Sequence, residues 1–225
     1  MRAGEQELRA GLKALQLDLG DTQVAQLLDY QDLIGKWTKV YNLTAVRDPA
    51  EMMTHHLLDS LAAVLPLRRH LQKAGLAQGA RLLDVGSGAG LPGVVIAICC
   101  PEVAVTCVDT VAKKAAFIKQ ASLALKLPNL SGLHARVETI TTPFEVICSR
   151  AFASLVDFTN WSADALAPQG AWMAMKGKHP AEEIAALPAG AEVFHVEQLQ
   201  VPGLNAERCI VWMRAKAGAA AENQA

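Results

Sequence analysis

Apolar and polar positions follow two different periods along this chain, and the period changes near Gly79. Before Gly79, apolar residues recur every three or four positions, which is the spacing of one helix face. After it, short continuous apolar runs alternate with segments of helical period, a pattern typical of a parallel sheet covered by helices on both faces. The pattern predicts an α/β fold in which a helical region precedes the sheet.

The N-terminal region is predicted to consist of helices. They cover residues 4–19, Asp21 to beyond Trp37, and Asp48 to about Leu65. The last of them has the clearest start, because Asp48 can cap a helix, Pro49 suits its first position and Glu51 completes a capping box. The segment Asn42-Leu43-Thr44-Ala45 interrupts the helical pattern just before it.

The second region is predicted to form a seven-stranded sheet. Strands are expected near residues 81–85, 103–108, 130–134, 144–149, 171–175, 191–198 and 207–213, and helices near 93–100, 111–126, 154–166 and 180–187. The last two strands follow one another without a helix, so one of them should run antiparallel at or near the sheet edge. This mostly parallel sheet with one antiparallel strand resembles that of the Rossmann-like class I methyltransferases.

These patterns divide the chain into three predicted parts. Residues 1–78 form a helical region that packs on the core, and residues 79–215 form the Rossmann-like core. Residues 216–225 are rich in Ala and Gly and are predicted to be a flexible tail.

Composition narrows the functional classes only a little. The formal net charge of −1 means that contact with a polyanion needs a local basic face. The five cysteines lie in apolar runs without a C-x-x-C pair, which predicts reduced thiols, no metal site and a cytoplasmic protein. No apolar run approaches the roughly 18 residues of a transmembrane helix. We therefore expect no membrane partner, and we expect a monomer.

The strongest chemical signal is a glycine-dense turn after the first predicted strand. The segment Leu82-Leu83-Asp84-Val85-Gly86-Ser87-Gly88-Ala89-Gly90-Leu91-Pro92-Gly93 ends an apolar run in an acid and opens into this turn. In the dinucleotide fingerprint the third glycine would stand at Leu91, whereas here it stands at Gly90. The resulting Asp-x-Gly-x-Gly-x-Gly spacing is similar to motif I of S-adenosylmethionine-dependent methyltransferases. Gly86, Gly88 and Gly90 are therefore predicted to let the cofactor approach bare backbone.

Two strand-end acids support this interpretation. Asp84 precedes the turn and is expected to anchor it. Asp109 closes the second predicted strand, where a carboxylate suits the two hydroxyls of a ribose. An ordinary helix cap before Val111 is the alternative role for Asp109.

Further candidates follow the later strands. His134-Ala135-Arg136-Val137-Glu138 closes the third strand, where this fold brings a loop beside the adenine, although Arg136 and Glu138 are equally consistent with plain surface residues. Val146-Ile147-Cys148-Ser149-Arg150-Ala151 closes the fourth strand. It lacks the Asn/Asp-Pro-Pro-aromatic motif that holds an exocyclic amine, and the chain has no Pro-Cys pair typical of pyrimidine C5 methylation. Cys148 is more simply a buried structural thiol.

A basic rim is the predicted RNA contact. It consists of Arg150 with Lys113, Lys114, Lys176 and Lys178, extended by Lys36, Lys39 and Arg47. Residues after the second, fourth and fifth strands should share one edge, because parallel strands end on the same side of a sheet. His55 and His56 lack further ligands at metal-binding spacing, so we expect one to face the core and the other to be exposed.

Several blocks taken together resemble one family, the bacterial 16S ribosomal RNA 7-methylguanosine methyltransferase G family, also called glucose-inhibited division protein B. The blocks are Tyr41-Asn42-Leu43-Thr44-Ala45, His56-Leu57-Leu58-Asp59-Ser60, Asp84 to Gly93, Val108-Asp109, Arg136-Val137-Glu138, Ser149-Arg150-Ala151 and Lys176-Gly177. The resemblance covers roughly residues 20–215. It departs at Thr110, where Ser is usual, and at Lys114, where Arg is common.

The resemblance implies methylation of guanine N7 in a hairpin loop of 16S rRNA, with S-adenosylmethionine as cofactor and bare rRNA or a small-subunit assembly particle as partner. It also implies which residues line the cofactor pocket, namely Gly86, Leu91, Val137, Glu138 and Arg150. Guanine N7 already carries an in-plane lone pair, so no residue need act as a general base. Alignment and water exclusion should supply most of the acceleration, with Arg150 in a supporting role.

Other classes stay open from the sequence. A methyltransferase acting on protein or a small molecule is one, because the fold does not fix the acceptor. A nicotinamide-dependent oxidoreductase is disfavoured by Leu91 at the third glycine position and by Asp84. A non-enzymatic RNA-binding module predicts RNA affinity without cofactor affinity.

Overall fold

A seven-stranded sheet runs through the part of the chain that the computed structural model describes, residues 2–216. Its strands are β1 (Arg81–Val85), β2 (Ala104–Asp109), β3 (Leu130–His134), β4 (Phe144–Arg150), β5 (Leu166–Lys176), β6 (Ala191–Leu199) and β7 (Arg208–Ala215). They are ordered β3-β2-β1-β4-β5-β7-β6, and β7 is antiparallel to both β5 and β6. This confirms the predicted sheet, with its one antiparallel strand next to the edge. The predicted tail lies, except for Lys216, outside the described residues.

Helices fill most of the connections. They are α1 (Glu5–Ala14), α2 (Asp21–Tyr41), α3 (Pro49–Met52), α4 (Asp59–Leu61), α5 (Val64–Lys73), α6 (Gly93–Cys99), α7 (Ala112–Ala124), α8 (Leu155–Ser162) and α9 (Ala181–Ala185). Asp48 caps α3 as predicted, because its carboxylate accepts hydrogen bonds from the amides of Ala50 and Glu51. A π-helical turn, Met53–Leu58, joins α3 to α4, so the helix predicted to end near Leu65 is broken into pieces.

The predicted start of the fifth strand was wrong by five residues. We expected it near residue 171, whereas β5 begins at Leu166 and includes Pro168 and Gly170, which are turn-forming residues. Phe144 on β4 pairs with Leu166, and Val146 pairs with Ala171, so β5 carries extra residues between two paired positions. This bulge accommodates both turn-forming residues within the strand.

Both faces of the sheet are buried, which explains the continuous apolar runs of the sequence. Successive residues of β1 point to opposite sides: Leu82 joins one apolar cluster and Leu83 joins the other. The cluster of Leu82 also contains Leu27 and Ile34 of α2 and Val94 of α6. The N-terminal helices and the sheet therefore share an apolar core. The boundary at residue 78 stays a prediction.

The carboxyl ends of the parallel strands lie at one edge of the sheet. The chain order reverses between β1 and β4, since β1 lies between β2 and β4. In open α/β sheets ligands bind in the crevice at such a reversal. No helix within residues 2–216 is long and apolar enough to cross a membrane.

Candidate active site

The glycine turn after β1 has open space on one side and packed side chains on the other. Gly88 and Gly90 both have positive φ angles, 59° and 86°, which favour glycine. A Cβ atom added to Gly88 would meet only the carbonyl oxygen of Gly86, at 4.0 Å, and therefore points into open space. A Cβ atom on Gly90 would collide with the side chains of Val94 and Ile118. Gly88 thus forms a cradle for a ligand, whereas Gly90 allows close packing underneath.

The turn is held from below by two buried side chains. Asp84 accepts a hydrogen bond from the backbone amide of Gly93 at 2.8 Å, which confirms that this acid anchors the turn. The hydroxyl of Tyr30 in α2 donates toward the carbonyl oxygens of Ala89, at 2.6 Å, and Gly90, at 3.1 Å. Sequence reasoning assigned Tyr30 no role beyond its place in a helix.

The Asp84 carboxyl group has an unusual ionisation. Complete burial raises its pKa to about 7, and the Gly93 amide and Arg150 oppose that rise. Among the described residues, its second oxygen, Oδ1, has no hydrogen-bond partner. Asp84 therefore exchanges its proton near neutral pH.

Asp109 has the capping role considered for it, whereas its role toward a ribose stays a prediction. Its carboxylate accepts hydrogen bonds from the amides of Gly88, at 3.0 Å, and Val111, at 2.9 Å. The Nζ atom of Lys114 lies 3.7 Å away. Asp109 thus caps the turn before α7 and also lines the adjoining cavity.

A cavity of about 470 Å³ opens at the carboxyl ends of β1, β2 and β3. We call it the first cavity. Its lining residues are Val85, Gly86, Val108, Asp109, Thr110, Val111, Lys114, Ala135, Arg136, Val137, Glu138, Ala151, Phe152 and Trp161. Its volume lies within the range of small-ligand sites. The cavity combines backbone, carboxylate and aromatic surfaces, which suits a nucleoside.

The aromatic wall of the first cavity was missed from the sequence. Phe152 and Trp161 pack edge to face with ring centroids 5.9 Å apart, and Trp161 is 41% exposed. Phe152 also contacts the turn closely enough that a side chain at Gly86 would overlap its ring. The position of Trp161 in the predicted helix 154–166 gave no sign that it faces a cavity rather than the core.

The predicted cofactor residues occupy three different places. Gly86, Asp109, Val137 and Glu138 line the first cavity, and Gly88 provides the adjoining open cradle. Gly90 and Leu91 are buried beneath the turn. The side chain of Arg150 lies elsewhere, as described next. The role of each of these residues toward a cofactor stays a prediction.

A second cavity of about 400 Å³ lies on the β4 side of the β1/β4 reversal. Its lining residues are His55, His56, Asp59, Arg150, Ala151, Met175, Lys176, Gly177, Leu199, Arg208 and Cys209. Nη1 of Arg150 donates to Oδ2 of Asp59 at 2.8 Å and to the backbone oxygen of His55 at 2.7 Å. Nε of Arg208 donates to Oδ1 of the same Asp59 at 2.9 Å. Ala151 borders both cavities.

The two adjacent histidines differ as expected, since His55 is exposed and His56 is buried. Nε2 of His56 lies 2.8 Å from the hydroxyl oxygen of Thr44. Burial lowers the pKa of His56 to about 4, and the positive charge of Arg150 adds to the effect. His56 is therefore neutral at physiological pH.

The predicted basic rim is only partly free. Lys36, Lys39, Arg47, Lys113 and Lys178 are exposed. Nζ of Lys113 lies 5.4 Å from the ring centroid of Tyr41. Lys114 is close to Asp109, and Lys176 forms an ion pair with Glu183 at 2.8 Å. With Arg150, which pairs with Asp59, three residues of the predicted rim thus have acidic partners already.

Cys148 is fully buried, and burial raises the pKa of its thiol well above the ordinary value. A thiol in that state is a poor nucleophile. In residues 2–216 there is no group of three or more His, Cys, Asp or Glu side chains placed to hold a metal ion.

Comparisons with known proteins extend these observations. A family model described as rRNA small subunit methyltransferase G matches residues 23–211. A protein named ribosomal RNA small subunit methyltransferase G from Polaromonas sp. (strain JS666 / ATCC BAA-500) is 84% identical over 224 residues, which cover 100% of this chain and 99% of that protein. A protein of the same name from Acidovorax ebreus (strain TPSY) is 69% identical and covers 93% of this chain and 95% of that protein.

Solved structures support the fold alone. TrmN from Thermus thermophilus superimposes with a TM-score of 0.55 at 20% identity, covering 72% of this chain and 53% of TrmN. Magnesium protoporphyrin IX methyltransferase from Synechocystis PCC 6803, solved with bound S-adenosylmethionine, gives 0.57 at 10% identity and covers 84% of this chain and 98% of that one. Both are class I methyltransferase folds, as the sheet predicted.

Proposed function

Because this chain belongs to the rRNA small subunit methyltransferase G family, we propose that it transfers the methyl group of S-adenosylmethionine to N7 of a guanine in 16S rRNA. The observation that carries the proposal is the open cradle at Gly88, which adjoins the carboxylate of Asp109 and the first cavity. The substrate would be bare rRNA or a small-subunit assembly particle.

The first cavity has the groups that this cofactor requires. Asp109 offers carboxylate oxygens to ribose hydroxyls, and the open backbone at Gly88 admits the methionine part. Val137 and Glu138 border the adenine side together with the aromatic wall of Phe152 and Trp161. When bound, S-adenosylmethionine supplies an electrophilic methyl group on a positively charged sulfur.

The chemistry asks little of the side chains beyond positioning. The in-plane lone pair of guanine N7 can accept the methyl group directly, so no proton has to be removed first. Holding two reactants in line and excluding water can contribute about 7–11 kcal/mol. The buried thiol of Cys148 is not needed as a nucleophile, and Arg150 assists from the second cavity.

Two further properties belong to the same proposal. The free, buried cysteines and an rRNA substrate are consistent with a cytoplasmic protein. We further infer that the enzyme works as a monomer without a metal ion, since the proposed transfer needs only the cofactor and an aligned base.

The test is a methylation assay with three acceptors. The protein is incubated with methyl-labelled S-adenosylmethionine and unmethylated 16S rRNA, assembled small subunits or total cell protein, and the RNA is then digested to nucleosides. We expect label in 7-methylguanosine from one or both RNA samples. Label in a methylated amine, in 5-methylcytidine or only in protein would contradict the proposed acceptor.

A binding measurement separates this function from the other classes. S-adenosylhomocysteine should raise the melting temperature, whereas NAD should leave it unchanged. A response to NAD alone would favour an oxidoreductase, and RNA binding without any cofactor response would favour a non-enzymatic RNA-binding module.

A further inference from the structure

The second cavity has no task in cofactor binding as proposed above. It lies on the β4 side of the reversal, between the ends of β4 and β5, the start of β7 and the π-helical turn before α4. Its lining combines the buried apolar side chains of Met175, Leu199 and Cys209 with the partly exposed side chains of Arg150 and Arg208. Guanidinium groups beside an apolar surface suit part of a nucleotide.

Asp59 holds the two arginines in fixed positions. It is 3% exposed, and each of its oxygens accepts a hydrogen bond from one guanidinium group. One negative charge thus faces two positive charges, so the cluster keeps an excess of one positive charge. Sharing a buried carboxylate also restricts the rotamers of both arginines, which lowers the entropy cost of binding a ligand.

Both guanidinium groups keep donors for a ligand. Nη1 of Arg150 is used for Asp59 and His55, and Arg208 uses Nε for Asp59 and Nη1 for the backbone oxygen of Glu207. Within the described residues, no hydrogen bond involves Nη2 of either arginine. A phosphate is well matched to such donors, because guanidinium groups bind its oxygens by charge-assisted hydrogen bonds.

Lys176 contributes less to this site than its position in the sequence suggests. Its Nζ atom lies 2.8 Å from Oε2 of Glu183 and 3.3 Å from the backbone oxygen of Ala153. Its charge is therefore compensated within the protein. The arginine pair is the main source of positive charge in the second cavity.

The two cavities meet at a single residue, Ala151, which directly follows Arg150. If the acceptor guanosine presents N7 to the first cavity next to Ala151, its sugar and phosphate also lie close to Ala151. On the other side of Ala151, the second cavity provides the guanidinium donors that have no partner within the described residues. An anion attached to the acceptor nucleoside therefore has a nearby partner.

We propose that Arg150 and Arg208, positioned by Asp59, bind a backbone phosphate of the RNA next to the acceptor guanosine. This inference rests on the proposed function. It adds a phosphate site and introduces Arg208 and Asp59, which the predicted basic rim did not contain.

The test compares Arg208→Ala with Arg214→Ala. Both arginines belong to β7 and pair with a carboxylate, but Arg214 pairs with Glu192 at 2.7 Å and does not line the cavity. Arg208→Ala should raise KM for RNA about tenfold or more, the effect of losing one charge-assisted hydrogen bond. It should lower the salt dependence of RNA binding by about 0.7–0.9 per lost phosphate contact. Arg214→Ala should change neither quantity.

Two further variants separate positioning from general stability. Asp59→Asn leaves both positive charges in place, so RNA should still bind at low salt while kcat falls, because the phosphate is no longer held in register. Arg208→Lys should restore the salt dependence fully and KM for RNA only in part, since a lysine supplies a point charge without the planar fork. If Asp59 were merely structural, Asp59→Asn would lower the melting temperature, whereas kcat of the folded variant at saturating RNA would be unchanged.

The outcomes distinguish the two proposals. If the unchanged protein methylates RNA but Arg208→Ala matches Arg214→Ala in KM and salt dependence, the phosphate site is wrong and the proposed function stands. If the unchanged protein methylates protein and no RNA, the proposed function itself fails. Circular dichroism and S-adenosylhomocysteine affinity check each variant, and Arg208→Gln replaces Arg208→Ala if the latter does not fold.

Discussion

The two cavities on either side of the β1/β4 reversal are built from different chemical groups. The first is lined by the backbone of the glycine turn, the carboxylate of Asp109 and aromatic rings. The second is lined by guanidinium groups that share the buried carboxylate of Asp59. The first suits a ligand with hydroxyl groups and a flat base, whereas the second suits an anion. Cofactor affinity and RNA affinity should therefore respond to different substitutions.

The largest effect is expected from Gly88→Val, which places a branched side chain in the open cradle that adjoins the first cavity. Binding of S-adenosylhomocysteine, measured by calorimetry, should fall below detection while RNA affinity is unchanged. Gly75→Val is the matched control, because Gly75 also has a positive φ, 72°, and open space, but it follows α5 and does not belong to the glycine turn. Normal cofactor binding by folded Gly88→Val would mean that the glycine turn has been misinterpreted.

The next effect concerns pH, because two buried groups have pKa values that are shifted in opposite directions. The pKa of His56 is lowered and that of Asp84 is raised. His56 has its pKa lowered to about 4, so its contribution to stability is present above pH 6.5 and is lost as pH falls toward 4. Asp84 has its pKa raised to about 7, so its contribution is present below pH 3.8 and is lost as pH rises toward 7.

His56→Gln tests the first half of this pair. Gln can keep the hydrogen bond to Thr44 but takes up no proton. The free energy of unfolding of the unchanged protein, relative to the variant, should decrease by about 2 kcal/mol between pH 8 and pH 5. Urea unfolding at both pH values measures this difference, and a difference independent of pH would show that His56 is not buried in the neutral form.

A smaller effect is expected from the lysines around the second cavity and α7. Lys113 and Lys178 are exposed, whereas Lys114 and Lys176 already face Asp109 and Glu183. Replacing the exposed pair by Ala should lower the salt dependence of RNA binding by about 1.5, with roughly 0.7–0.9 for each phosphate contact. Replacing the other pair should lower it by less than half as much.

The combined replacement of these four lysines tests whether they contact the RNA. If its salt dependence equals that of the unchanged protein, none of the four contacts a phosphate, and Arg150 and Arg208 are the basic contacts left at this edge of the sheet. The other basic residues of the predicted rim, Lys36, Lys39 and Arg47, are exposed on the N-terminal region and would then provide the further contacts.

The smallest effect is expected from Cys148→Ser. Its thiol is buried and its pKa is raised, so it belongs to neither cavity and takes no part in the proposed transfer. The variant should keep measurable turnover, with losses that follow its lower melting temperature. Complete loss of turnover in a folded variant that still binds S-adenosylhomocysteine would revive covalent catalysis by this cysteine.

Features set by neighbouring residues were predictable from the sequence. β1 and β3 have the predicted bounds, Asp84 anchors the turn, and Gly88 and Asp109 adjoin the first cavity, because strand ends and glycine turns are coded locally. The start of β5 was not predictable, because a bulge against β4 overrides the turn signals of Pro168 and Gly170. That bulge depends on pairing with a strand distant in sequence.

The other site features that the sequence did not predict are contacts set by the tertiary fold. Asp59 and Arg208 are separated by 149 positions, and nothing in the periodicity indicates that they meet. Lys176 and Glu183 are only seven positions apart, but their pairing depends on the turn that joins β5 to α9. That the ring of Trp161 faces a cavity rather than the core likewise depends on how α8 packs. Sequence patterns identify charged residues near a site, but not which of them are already paired.

The hydrogen bond from Tyr30 limits which truncations and N-terminal replacements this enzyme can tolerate. The hydroxyl group reaches the glycine turn from α2, which precedes the sheet in the chain. A shortened chain that kept only the sheet and its later helices would leave the carbonyl oxygens of Ala89 and Gly90 without this donor. Grafting a different N-terminal region, for example to redirect the enzyme to another RNA, therefore has to preserve a tyrosine at this place if the new chimera is to keep its cofactor site.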